Sequence, residues 1–212
     1  MRQQLSSSLL INLIMFIVVT IKVDGYQFFT EEDAKMFDSQ LEIQDVLQFI
    51  NRDEWKALPT TDPVETLVTP VPYVLIYHTG TESCYYRQSC DRIVRELQAK
   101  YISSYPWNRD IGYNFLISGD GKIYIGRGWR TVGAHTIGVN KKSIGIALIG
   151  TFYDKSPNIT QFSSMRNLIN YGIALDFIDK KFKYYSEING VRLYINDQHN
   201  ISSFSEMIQN SQ

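Results

Sequence analysis

Between Gly126 and Asn140 the chain carries four side chains with the reach to hold a ligand: Arg127, Trp129, His135 and Asn140. A guanidinium offers a fork of donors, an indole an aromatic face, an imidazole a donor or an acceptor, and an amide both at once. They sit on a glycine-rich polar stretch, and binding sites are commonly built on such loops when a rigid scaffold holds them. The scaffold is legible on either side. Residues 113–117 (YNFLI) and 122–125 (KIYI) are β-branched and aromatic, and Gly119-Asp120-Gly121 between them is expected to supply the positive φ angles of a tight hairpin turn. Residues 143–150 (SIGIALIG) form a short apolar run that suits a strand buried on both faces.

The flanking chain repeats this alternation of strand and helix. Residues 71–79 (VPYVLIYHT) read as a strand, and residues 91–102 place Ile93, Val94, Leu97 and Tyr101 on one helical face, with Asp91 near the N-terminus to complement the helix dipole. A second helix is expected over 160–176, with Phe162, Met165, Leu168, Ile169 and Ile173 as its core face. Residues 46–50 suggest an edge strand leading into a polar-capped turn at 51–55, and residues 58–72, with four prolines, an extended connector. Short strands are expected at 182–188 and 191–195 around Asn189-Gly190, followed by a short C-terminal helix. The order predicts a single α/β domain with a central mixed β-sheet flanked by helices.

Composition narrows the function. Of 212 residues, 21 are basic and 22 acidic, giving a formal net charge of -1, a balance that argues against a nucleic-acid partner. Residues 1–25 join Arg2 to an apolar run (LLINLIMFIVVTI) and read as a secretory signal peptide cleaved after Gly25. The alternative is an uncleaved membrane anchor carrying an extracellular domain, for which the run is short of the ~20 residues a spanning helix needs. Residues 26–45 read as an acidic N-terminal arm and 46–212 as the domain proper. Asn158-Ile159-Thr160 and Asn200-Ile201-Ser202 match the glycosylation pattern, and Cys84 and Cys90 form an even, close pair expected to be a disulfide in a secreted chain.

Taken in order, WKALPTTDP, LVTPVPYVLIYHTGTESC, DIGYNFLISGDGKIYIGRGW, VGAHTIGVN and SIGIALIGTF resemble the peptidoglycan recognition proteins of animal innate immunity, which are related to the phage-type zinc N-acetylmuramoyl-L-alanine amidases. The resemblance covers about 46–210 and is most specific over 70–175. It implies that fold, a short-loop disulfide like Cys84–Cys90, and a groove for bacterial peptidoglycan or muropeptide. In amidase members two histidines and a cysteine hold the zinc. The residues at the corresponding positions are Tyr77, in Tyr77-His78-Thr79, then Glu187 and Ile195. With three histidines in the chain and both cysteines paired, the expectation is a non-catalytic member with no metal or other cofactor.

The resemblance further implies ligand-binding roles for His78, Thr79, Trp107, Tyr113, Arg127, His135 and Asn140. Tyr113 matches the tyrosine that supports catalysis in amidase members. Arginine in the Gly126-Arg127-Gly128-Trp129 motif is similar to members that prefer diaminopimelate-type peptidoglycan, whose extra carboxylate a guanidinium takes with two parallel hydrogen bonds. Pro106-Trp107 departs from the family's Gly-Trp, Tyr101 stands where some members carry a histidine, and one more residue than usual separates Trp107 from Tyr113. These departures favour an alternative: a ligand-poor co-receptor or negative regulator that pairs with another family member. An amidase with an altered site is the third reading.

Overall fold

The computed structural model describes residues 47–60, 65–104, 110–153 and 155–186, and the backbone of 193–195. The expected leader, the acidic arm, Trp107, Glu187, the Asn189-Gly190 turn, Asn200 and the C-terminal helix lie outside these residues. One seven-stranded mixed sheet organises the domain. Its strands are β1 (Phe49–Ile50), β2 (Val71–His78), β3 (Phe115–Ile117), β4 (Ile123–Ile125), β5 (Ser143–Leu148), β6 (Ile178–Ser186) and β7 (Leu193–Ile195). Their spatial order is β1-β4-β3-β5-β2-β6-β7. β3–β4 and β6–β7 are antiparallel; the other pairings are parallel.

Strand alternation divides the side chains between two helices. α1 (Arg87–Ser104) buries Ile93, Val94 and Leu97 in a cluster with Leu116, Tyr124, Ala147 and Ile50. α2 (Ile159–Ala174) buries Met165, Leu168 and Ile169, and its Tyr171 packs against Phe49 and Trp129 on the opposite face, where Trp129 also meets Phe115. β5 is buried along its whole length, as its unbroken apolar run predicts. Among the described residues no helix is long and apolar enough to cross a membrane.

Several expectations shift. α1 begins four residues before Asp91, so Asp91 lies beyond the first turn, where the dipole is felt most. Its carboxylate instead accepts from Arg87 Nε at 2.7 Å and from the Tyr124 hydroxyl at 2.9 Å. In the β3–β4 turn only Gly121 takes positive φ, at 84°. Gly119 is needed for close approach, since a Cβ there would stand 2.7 Å from the Cys84 carbonyl. Trp129 is a packing residue, stacked on Phe177 at 5.0 Å. Cys84 and Cys90 are joined, pinning the loop before α1 to its first turn. Asn158 caps α2: its Oδ1 accepts from Gln161 N at 2.9 Å and its Nδ2 donates to Gly119 O at 2.8 Å.

Candidate functional site

Tyr77 sits near the carboxyl end of β2, on the face that α1 covers only in part. Its ring packs 5.4 Å from Tyr113 and 5.4 Å from His135 (centroid distances), and Tyr101 of α1 lies 5.6 Å from Tyr113 on the other side. The Tyr77 hydroxyl lies 2.9 Å from His135 Nδ1 and 2.5 Å from Thr136 Oγ1. The imidazole fits because two glycines clear its space. A Cβ at either Gly133 or Gly145 would stand 2.4 Å from His135 Cδ2. Burial, with the nearby Arg127 charge second, pushes the His135 pKa down to about 4, so at neutral pH the ring is uncharged. Its Nε2 is buried without a hydrogen-bond partner among the described residues.

Arg127 follows β4 and is clamped by main-chain carbonyls. Its Nε donates to Ile111 O at 2.7 Å and an Nη to Val132 O at 3.1 Å. Burial lowers its pKa while Asp110 opposes the shift, and the group stays cationic. Two buried polar side chains brace the segments that carry these carbonyls. Asp110 Oδ1 accepts from Ile111 N, Gln98 Nε2 and Arg52 Nη2 at 2.8, 2.7 and 3.1 Å. Asn114 donates to Gly128 O and Thr131 O at 2.8 and 2.9 Å and accepts from Gly145 N at 2.9 Å. Sequence reasoning missed both, because a buried, fully bonded Asp or Asn is indistinguishable in sequence from a solvated one.

Tyr113, Arg127 and His135 thus gather on one side of the sheet with Tyr77. Asn140 serves the loop instead: its Oδ1 accepts from the main-chain nitrogens of His135 and Thr136 at 3.1 and 2.8 Å. His78 and Thr79 do not join the cluster. Alternation along β2 turns His78 to the opposite face, where its Nδ1 accepts from Phe152 N at 2.8 Å and its ring meets Tyr153 edge-on at 4.5 Å. Burial lowers its pKa as well. Thr79 Oγ1 pairs with Thr81 Oγ1 at 2.7 Å and accepts from Gly150 N at 3.0 Å, knotting a loop. Next to the cluster, Tyr73, Leu75, Tyr77, Thr136, Val139, Lys142 and Tyr185 line a cleft of about 410 Å³. Among the described residues no group of three His, Cys, Asp or Glu side chains converges as metal ligands would.

A mixed sheet with one helix on each face and a groove at the carboxyl end of a central strand defines an amidase-like domain. Residues 67–201 match the family model described as N-acetylmuramoyl-L-alanine amidase. The chain is 43% identical over 134 residues to peptidoglycan-recognition protein LE of Drosophila melanogaster, covering 63% of this chain and 39% of that protein's length. The crystal structure of recognition protein LE in complex with tracheal cytotoxin, a monomeric diaminopimelic acid-type peptidoglycan, superposes with a TM-score of 0.63 at 42% identity, over 65% of this chain and 81% of that one. The ectodomain complex of recognition proteins LCa and LCx with the same toxin superposes with a TM-score of 0.66 at 36% identity, over 70% and 93%. The chain belongs to the peptidoglycan recognition protein family.

Proposed function

We propose that this protein binds bacterial peptidoglycan fragments without cutting them, prefers the diaminopimelate type, and does so in the groove at Tyr77, Tyr113, Arg127 and His135. The observation that carries the non-catalytic part is the Tyr77 phenol, held by His135 and Thr136 at the position where amidase members place their first zinc histidine. The remaining donors do not fit that metal either. Position 195 is an isoleucine, position 187 a glutamate, and both cysteines are tied to each other. Zinc of the amidase type wants nitrogen and thiolate donors with one open position. Without it no activated water is available, and Tyr113 serves as a groove wall.

Arg127 supports the diaminopimelate preference. It places a guanidinium beside the cluster, and the two carbonyls fix the orientation of its plane, the fork a carboxylate takes with paired hydrogen bonds. The test is a pull-down of the full chain on diaminopimelate-type and lysine-type peptidoglycan, beside Arg127→Ala. Retention on the diaminopimelate type is expected to exceed that on the lysine type, and Arg127→Ala to remove the difference. An unchanged preference in the variant defeats the role of Arg127, and chelator-sensitive release of stem peptide defeats the non-catalytic reading.

The second reading is pairing with another recognition protein, as in the LCa–LCx complex. It is favoured by how many of the side chains expected to bind ligand are spent inside the protein, Asn140 and Thr79 among them. Absence of binding to both peptidoglycans, with co-elution of a family partner, would select it. The proposal also places the protein outside the cell, through residues 1–25 as a signal peptide or, alternatively, as an anchor, with glycans at Asn158 and Asn200. N-terminal sequencing and glycosidase treatment of the exported protein test this. A start near Tyr26 and a drop in mass are expected; a start at Met1 indicates the anchor, and an unchanged mass removes the glycans.

A further inference from the structure

The direction of the Arg127 guanidinium follows the Ile111 carbonyl, to which its Nε donates at 2.7 Å. That peptide has no room to turn. A Cβ on the next residue, Gly112, would stand 2.4 Å from Tyr101 Cε1 and 2.8 Å from Ala134 O, and Gly112 O accepts from Ala134 N at 2.8 Å. On its other side the Ile111 amide donates to the Asp110 carboxylate at 2.8 Å.

Asp110 ties this peptide to two segments distant in sequence. It is 5% exposed, and the oxygen that serves Ile111 also accepts from Gln98 Nε2 of α1 at 2.7 Å and from Arg52 Nη2 at 3.1 Å. Gln98 is wholly buried and grips the main chain of Leu58: its Oε1 accepts from Leu58 N at 2.8 Å and its Nε2 donates to Leu58 O at 3.0 Å. Arg52 lies over the Trp55 ring at 5.3 Å, and its Nη1 donates at 2.6 Å to the carbonyl of Gly126, the residue before Arg127. Arg127 is therefore held from both ends, its main chain through Arg52 and Gly126, its side chain through Asp110 and Ile111.

Packing alone does not call for a carboxylate here. A buried charge is unfavourable unless it is fully bonded, and an apolar side chain of similar volume often fills such a space at least as well. What an apolar side chain cannot do is fix directions. A guanidinium takes a carboxylate with two parallel hydrogen bonds only when the two planes line up, whereas contacts that every stem peptide makes do not depend on that plane. Holding a recognition group to within a fraction of an ångström is the work of the side chains behind it. We propose that Asp110, braced by Gln98 and Arg52, is a positioning residue for ligand selectivity: without touching the ligand it sets the plane of Arg127, and with it the preference for a stem peptide that carries an extra carboxylate. The inference rests on the reading of Arg127 given above.

The test has two readouts. The first is calorimetric titration of the full chain with two soluble muropeptides that differ only in carrying diaminopimelate or lysine. Wild type is expected to bind the diaminopimelate probe about tenfold tighter, the scale of one hydrogen-bonded charge pair. Asp110→Asn should cut that preference to about twofold and leave affinity for the lysine probe unchanged. Gln98→Met, which keeps volume and loses the hydrogen bonds, and Arg52→Lys, at a half-buried site, should act in the same direction, and they carry the test if Asp110→Asn does not fold. The second readout needs no ligand: the Arg127 Nε–H, followed by NMR, should exchange with solvent about tenfold faster in Asp110→Asn than in wild type. Equal weakening of both probes, or an unchanged preference with unchanged Nε–H exchange, reduces Asp110 to a stability role and overturns the inference while the reading of Arg127 stands. If wild type does not discriminate between the probes, both fall together.

Discussion

At the residue scale the decisive side chain is Tyr77, and its consequence reaches His135. A phenol at this position donates and accepts hydrogen bonds, and burial, with the Arg127 charge second, keeps the imidazole beside it a neutral hydrogen-bond partner. The folded-state pKa of about 4 lies below the ordinary histidine value of 6.5. The unfolded chain therefore binds more protons in that interval, and stability falls as pH drops from about 6.5 to about 4 and is fully present above it. His78, shifted in the same direction, adds to the trend. Denaturant melts of wild type should lose on the order of 3 kcal/mol across this window through His135, less solvent screening. His135→Gln should show a flatter profile; an equally steep one would place the proton uptake elsewhere. Gly133 and Gly145 belong to the same account, because the ring occupies the space their side chains would need. In the sequence they read only as turn and strand glycines.

At the element scale, α1 and α2 are fastened in different ways. The first turn of α1 is stapled by Cys84–Cys90, a separation of six residues. Loop-closure entropy for so short a ring contributes about 2 kcal/mol. The Cys84→Ala/Cys90→Ala double variant should lose about that much by chemical denaturation while keeping the fold, and hydrogen exchange should rise first at 87–91. Uniform loss of protection over the whole sheet would mean that the loop is integral to the core. α2 relies on the Asn158 cap instead. Sequence periodicity found both helices within four residues at each end. It began α1 late because Arg87, Gln88 and Ser89 show no apolar pattern, and the disulfide and the Arg87–Asp91 contact hold that turn in place. It began β3 early because the Asn114 carbonyl accepts from both Gly126 N and Gly128 N, each at 3.0 Å, a loop pattern that interrupts the regular ladder.

At the scale of the whole molecule, the proposed non-catalytic reading assigns the amidase ligand positions to Tyr77, Glu187 and Ile195, which are far apart in the chain. No single replacement can therefore rebuild the donor set. Tyr77→His should bring no chelator-sensitive release of stem peptide from peptidoglycan, because Ile195 supplies no donor and the chain's two cysteines are joined to each other at the start of α1. Appearance of such activity would show that another ligand set forms. Tyr77 joins two neighbourhoods, the ring cluster with Tyr113 and His135 and the cleft lined by Tyr73 and Tyr185. By itself the sequence determined the α/β class, the hairpin, the buried β5 and the membership of the family, because each rests on local periodicity or on motifs contiguous in the chain. It also determined that the chain has three histidines and two cysteines, which is a matter of composition. Only the tertiary structure decided which predicted residues meet. Tyr113 and His135 pack on Tyr77, with Arg127 near enough to act on His135, while His78 turns away by the two-residue period of its strand and Asn140 and Thr79 are spent on their own loops. Such convergence depends on strand order and register, which bring Tyr77 to His135, 58 positions away, and leave no mark on local sequence.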